Sequence, residues 1–143
     1  MSKSNKIMIQ VCLCGAGTKK AQAPTVPYTA DELAEQIVAC AKAGASIAHI
    51  HVREDKMVNG VMEIGYKSMS LEKFTEAVEK TRAACKAAGV DIIINLTTSG
   101  GEYEDYKRLQ HLSALRPSSA RARWSWISCY ARSSHLPGSP YGP

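Results

Sequence analysis

Two residues of one type, His49 and His51, carry the strongest chemical signal in this chain. Along a β-strand the side chains of residues i and i+2 point to the same side, so the two imidazoles of His49-Ile50-His51 leave one face together. Each neutral imidazole offers a nitrogen lone pair, and such donors suit a divalent metal, zinc above all. The pair lies in Ser46 to Val52 (SIAHIHV), an apolar run of strand length, near its carboxyl end. Parallel α/β folds build their sites at that end of their strands. The structural alternative is a core histidine, and two of them on one buried face would each need partners for their ring nitrogens. A catalytic zinc takes three protein ligands and leaves a position open. Glu102, Glu104 and His111 are available as a third ligand, but no spacing favours any of them. Cys12 and Cys14 are also donor types, although Cys-x-Cys in a strand more often means two small buried residues.

Three further segments fall where chemistry is expected. Arg53-Glu54-Asp55 follows the histidines at once, and could orient a ligand histidine or hold an anion. For Glu54 and Asp55 a solvated turn is the plainer reading. Thr97-Thr98-Ser99-Gly100-Gly101 ends another apolar run, and its hydroxyls and free N–H groups suit a carboxylate or phosphate. The alternative there is a polar loop with capping duties. Gly15-Ala16-Gly17 ends the first apolar run, but a GxG by itself is weak.

These segments need strands to carry them. Lys6 to Leu13, Ser46 to Val52 and Asp91 to Leu96 read as strands, near-continuous apolar runs of the kind buried on both faces. Thr29-Ala30-Asp31-Glu32 is a capping box, opening a helix with Leu33, Ile37, Val38 and Ala41 on one face and Gly44 at its stop. Ser70 caps a second helix, with Phe74, Ala77, Val78, Thr81 and Cys85 at helical spacing and Gly89 beyond its end. Residues 53–69 read as a polar loop, and Tyr103 to Leu115 as a third helix with Arg108, Gln110 and His111 partly exposed. The order is β-α-β-α-β-α, which implies parallel strands joined by right-handed crossovers, in a doubly wound sheet or a barrel.

The 143 residues suit one domain but fall short of the roughly 250 of a complete (β/α)₈ barrel. No run of about 18 apolar residues is present, so no membrane span is expected, and the polar N-terminus gives no secretory signal. Five cysteines without scaffold or zinc-knuckle spacing fit a reducing cytoplasm. The net charge of +5 belongs to the end of the chain, where no acid follows Asp105. The last 27 residues hold four of the six prolines, both tryptophans and seven serines, and the periodicity stops at Pro117. Residues 1–116 therefore read as a partial barrel domain of three βα units and 117–143 as an irregular tail. The break is abrupt and falls where a further strand is due. It favours translation out of frame over a disordered tail, and both over a basic–aromatic nucleic-acid arm at residues 121–126.

Taken together, GAG…PYTADELAEQIVACAKAGASIAHIHVRED, DIIINLTTSGG and RLQHLSALRP resemble the β-keto acid cleavage enzyme family, which includes the 3-keto-5-aminohexanoate cleavage enzyme of lysine fermentation. The resemblance runs from Lys6 to Pro117. It implies a TIM barrel, a zinc ion, a homo-oligomer, and acyl transfer from a β-keto acid and acetyl-CoA to acetoacetate and a new acyl-CoA. It places the metal ligands on His49 and His51 and the substrate-carboxylate loop on Thr97 and Gly100. Three departures accompany it. Gly17 stands where family members taking an aminated substrate are expected to carry an acid. The third ligand, a glutamate, and a catalytic arginine and aspartate fall on later strands that this chain lacks. After Arg116-Pro117 the family's next strand is missing. The literal chain is accordingly expected to be an inactive fragment of the enzyme. A metal-dependent hydrolase or aldolase on the same barrel is the competing reading, distinguished by metal dependence without coenzyme A dependence. Small-molecule partners are expected, with no nucleic acid and no membrane.

Overall fold

The computed structural model describes residues 7–99 and 103–115. Its elements are β1 (Gln10–Cys12), α1 (Ala30–Lys42), β2 (Ile47–Ile50), β3 (Val52–Val58), β4 (Val61–Ser68), α2 (Leu71–Ala88), β5 (Ile93–Leu96) and α3 (Asp105–Ala114). Strands β1, β2 and β5 form one parallel sheet in that order. Three parallel strands with helices between them are the β-α-β-α-β-α order expected. The hydrogen-bonded strands are shorter than their apolar runs, and residues 117–143 lie outside the described residues.

Alternation along the strands gives the sheet two unlike faces. Ala48, Ile50 and Leu96 pack with Leu33 and Ile37 of α1 and with Phe74, Ala77, Val78 and Cys85 of α2; Val11, Leu13, Ile92 and Ile94 border this core. The other face carries the register row Cys12, His49 and Asn95. Burial on both faces was expected, but among the described residues only the helix side is fully covered. Gln10 and Cys12 are exposed and His49 is half-buried. The reason lies in the runs themselves: QVCL, IAHI and IINL each place a polar or small residue at the second face.

The helix signals act as the sequence implies. Thr29 Oγ1 accepts from the Glu32 N–H, and the Glu32 carboxylate accepts from the Thr29 N–H, closing the capping box. Ser70 caps α2, Gly89 ends it in the left-handed region at φ 65°, and the five residues expected on its inner face are the five buried there. No described helix is long and apolar enough to cross a membrane.

Residues 53–69 correct the expected loop. They form most of an antiparallel hairpin, β3 with β4, closed by Asn59-Gly60 at φ 50° and 80°. Positive φ at both central residues is the two-residue turn that matches strand twist. Four charged residues in succession, Arg53 to Lys56, made the segment look like a loop, while Asn-Gly between Val58 and Val61 was the hairpin signal. A second correction concerns α3. Arg108 and Gln110 are half-buried as expected, but His111 is fully buried, its ring stacked on Phe74 with centroids 4.0 Å apart and planes 10° from parallel.

Gly65 lets the hairpin close against the segment that leads into α1. Its φ is 65°, and a Cβ built there would lie 2.0 Å from the Tyr28 ring. Gly65→Ala therefore combines backbone strain with a collision against a rigid aromatic edge. We expect a loss of about 2–4 kcal/mol in urea unfolding. The double variant with Tyr28→Ala should recover part of it relative to Tyr28→Ala alone. Additive losses in that cycle would show that the ring is not the obstacle.

Candidate metal centre

The carboxyl end of β2 sets the geometry. His49 lies in the strand, and its neighbour across β5 is Asn95. His49 Nδ1 is 3.0 Å from Asn95 Oδ1, and His49 Nε2 is 3.2 Å from His51 Nε2. The rings meet edge to face with centroids 5.0 Å apart. The i, i+2 expectation is thus met: two imidazoles converge through their Nε2 atoms.

That convergence fits a metal. With zinc–nitrogen bonds of about 2.0–2.1 Å, two ligand nitrogens on a tetrahedral zinc stand about 3.3 Å apart. The 3.2 Å between the two nitrogens is close to that separation. Burial first, then the neighbouring His49 and Arg53, pull the His51 pKa from 6.5 down to about 4. His51 is thus neutral, as a ligand must be. Among the described residues no group of three His, Cys, Asp or Glu side chains converges as a metal set. Glu104 is exposed, His111 is sealed against Phe74, and Glu102 and Gly100 lie outside the described residues.

The surroundings reassign the two cysteines and the arginine. The Cys14 thiol donates to the His51 carbonyl at 3.2 Å, and burial pushes its pKa up, so it stays a thiol and braces the histidine backbone. Cys12 is exposed on the row of His49. Arg53 is buried, and its guanidinium donates to the carbonyls of Cys14, Gly15, Thr18 and Gly65. It ties the loop after β1 to the hairpin. Four carbonyls take its two terminal nitrogens, while the buried Nε has no hydrogen-bond partner among the described residues. Asp55 is exposed on β3, its Oδ1 accepting from the Gly65 N–H, and Glu54 is half-buried on the same strand. Neither belongs to a solvated turn.

Thr97 and Thr98 are buried at the end of β5. The Thr97 N–H donates to Ile50 O, carrying the ladder one residue further, and Thr97 Oγ1 accepts from the Ser99 N–H. Among the described residues the Thr97 hydroxyl hydrogen has no acceptor, so it could donate. Arg108 of α3 donates to the Thr98 carbonyl at 2.9 Å and fixes the loop.

Sequence reasoning passed over Asn95. It is 3% exposed, on the row of His49, and the only signal was one amide inside the apolar run IIINL. The buried His111 was also missed. Neither of its ring nitrogens has a hydrogen-bond partner among the described residues. Burial lowers its pKa; the nearby Thr97 carbonyl works against this without reaching hydrogen-bond geometry.

These two histidines set a pH dependence. His51 takes up its proton near pH 6.5 when unfolded but only near 4 when folded. As the pH falls through that window the unfolded state binds more protons, so stability falls and then levels off below about 4. His111 acts in the same direction. For the metal-free chain we expect His51 to cost up to about 3 kcal/mol by pH 4. Urea unfolding at pH 7.5 and 4.5 checks this, and equal stability at the two would contradict it.

The 3-keto-5-aminohexanoate cleavage enzyme of Fusobacterium nucleatum subsp. nucleatum is 38% identical over 106 residues, 73% of this chain and 35% of that protein. The protein of that name from Acetoanaerobium sticklandii is 35% identical over 116 residues, 80% of this chain and 38% of that protein. The 3-dehydrocarnitine:acetyl-CoA trimethylamine transferase of Rhizobium meliloti is 30% identical over 101 residues, 71% of this chain and 30% of that protein. The chain therefore spans about a third of the length of the curated relatives it matches. The family described as beta-keto acid cleavage enzyme matches residues 6–130, running past Arg116-Pro117. With most of its length inside that match, the chain belongs to the beta-keto acid cleavage enzyme family.

Proposed function

We propose that these residues are the amino-terminal part of a zinc-dependent β-keto acid cleavage enzyme, in which a β-keto acid and acetyl-CoA give acetoacetate and a new acyl-CoA. The observation that carries this reading is the approach of His49 Nε2 and His51 Nε2 to 3.2 Å at the carboxyl end of a parallel strand. A (β/α)₈ barrel is the architecture it implies. Strands laid down in chain order, β1-β2-β5, suit a barrel and equally one half of a doubly wound sheet, so the barrel rests on the family. When bound at His49 and His51, the metal supplies Lewis acidity at the keto oxygen. Thr97, with a hydroxyl hydrogen free to donate, and Gly100 hold the substrate carboxylate. The general base and the third ligand are assigned to later strands, so the 143 residues alone hold zinc weakly and do not turn over. The intact enzyme is a cytoplasmic homo-oligomer. Relatives named as cleavage enzymes and acetyl-CoA transferases favour this over a hydrolase or aldolase.

Gly17 bears on the substrate. The relatives' names print 3-keto-5-aminohexanoate, 3-dehydrocarnitine and 3,5-dioxohexanoate, so substrates with and without an amine both occur among them, and this chain places no carboxylate at Gly17. A Cβ built there would have open space around it, with nothing within 4 Å. A chain extended to its relatives' length should form acetoacetate from acetyl-CoA and β-keto acids, zinc-dependently, and should favour acids without an ammonium group. Gly17→Glu should raise kcat/KM for 3-keto-5-aminohexanoate by about 10-fold or more, the worth of a charge-assisted hydrogen bond in a site. Strong preference of the unmodified protein for the aminated acid would refute the Gly17 assignment. Absence of acetyl-CoA dependence would refute the function.

A further inference from the structure

We propose that Asn95 is a positioning residue that holds His49 in the tautomer with its proton on Nδ1, leaving the Nε2 lone pair directed at the shared ligand position. The inference rests on the reading of His49 and His51 as metal ligands and adds how their protons are arranged.

Asn95 is paired in register with His49 on the adjacent parallel strand and is 3% exposed. A buried amide in an otherwise apolar strand is costly unless it is hydrogen-bonded, and its partner is the imidazole, at 3.0 Å. The atom facing Nδ1 is the amide oxygen, which can only accept. Nδ1 must therefore carry the hydrogen, and in the neutral ring Nε2 then holds the lone pair. His51 Nε2, 3.2 Å away, completes the row by donating its own hydrogen to that lone pair. The metal-free order is thus His51 Nε2–H to His49 Nε2, and His49 Nδ1–H to Asn95 Oδ1. A metal held by His49 and His51 would require the His51 proton to sit on Nδ1 of that ring. His49 needs no change. The amide performs the task of the carboxylate or carbonyl that usually orients a metal-bound histidine, without placing a second negative group in the site. The opposite amide orientation would reverse the whole row. The NH₂ group would then donate to Nδ1, the His49 proton would sit on Nε2, and the lone pair would point away from the metal.

The four histidines of the chain make this measurable. Two-bond nitrogen–proton correlations on ¹⁵N-histidine-labelled, metal-free protein report the tautomer of each ring, with a His49→Gln sample giving the assignment. The same shifts are read by solid-state spectroscopy if the chain associates. Wild-type His49 is expected as the Nδ1–H form. Asn95→Asp, which keeps an acceptor at Oδ1, should retain it. Asn95→Leu, which keeps the volume and removes the acceptor, should shift His49 to the Nε2–H form. Zinc titrations against a chromophoric chelator should show Asn95→Leu weaker by about 10–100-fold and Asn95→Asp equal to wild type or tighter. An Nε2–H tautomer in the wild-type protein overturns the proposal, as does Asn95→Leu with unchanged tautomer and affinity. If Asn95→Leu does not fold, the wild-type and Asn95→Asp spectra decide. Wild-type protein with no affinity for zinc would defeat the metal reading alone, and the tautomer would still test Asn95.

Discussion

His49→Ala or His51→Ala, in a chain extended to its relatives' length, is expected to remove most of the bound zinc and nearly all acetoacetate formation. Losing an orienting partner of a metal ligand costs roughly 10–100-fold in affinity or activity, and losing the ligand itself must cost more. Each substitution is expected to suffice alone. The two Nε2 atoms stand 3.2 Å apart, so on the proposed reading either alanine leaves a single imidazole. Folding is the confounding effect, because His51 is buried and His49 half-buried. Zinc per folded molecule is therefore the quantity to compare, with the unfolding midpoint measured on the same samples. His51→Ala should lower that midpoint more than His49→Ala does. It should also flatten the fall in stability between pH 6.5 and 4, since the ring that refuses its proton is gone. Either variant with wild-type zinc content would sink the ligand assignment.

Much of the scaffold could be read from residues that act locally. Thr29 and Glu32 form their capping box within four residues, and Phe74, Ala77, Val78, Thr81 and Cys85 share a helix face by spacing alone. His49 and His51 belong to the same kind of inference, because i and i+2 converge whatever the rest of the fold does. What was missed depends on partners distant in sequence. Asn95 matters only because register sets it beside His49, 46 positions away, and nothing in IIINL reveals that register. His111 is polar and sits on a helix with apolar neighbours at either edge, so hydrophobic patterning turns it outward; its stacking on Phe74 belongs to the packing of α3 on α2. The hairpin is a different failure. Its turn was legible in Asn59-Gly60, but Arg53, Glu54, Asp55 and Lys56 in succession outweighed it. Arg53 shows why that weighting misleads, since the arginine is inside.

Arg53→Met is expected to destabilise the fold by about 2–5 kcal/mol, because it leaves several carbonyls without their donor. No acid pairs with this guanidinium among the described residues. Its charge is met by carbonyl dipoles: Cys14 at 2.8 Å, Gly15 at 2.9 Å, Gly65 at 3.1 Å and Thr18 at 3.3 Å. The Tyr28 ring also lies 5.4 Å away. Methionine fills much of the volume and satisfies none of these acceptors. Each buried carbonyl left unpaired costs about 1–3 kcal/mol unless water reaches it. Arg53→Lys should recover only a fraction, because one ammonium cannot reproduce a planar fork that serves two segments. The effect should also reach the metal ligands. Arg53 holds the Cys14 carbonyl while the Cys14 thiol holds the His51 carbonyl. Releasing the loop after β1 therefore frees the backbone beneath His51. Zinc affinity should fall in Arg53→Met even under conditions where the variant stays folded. Glu54→Ala, one residue on and half-buried, serves as the control and should shift stability by no more than about 0.5 kcal/mol. An Arg53→Met protein with an unchanged unfolding midpoint would mean that the guanidinium does not bear on these carbonyls. It would then be free for an anion after all.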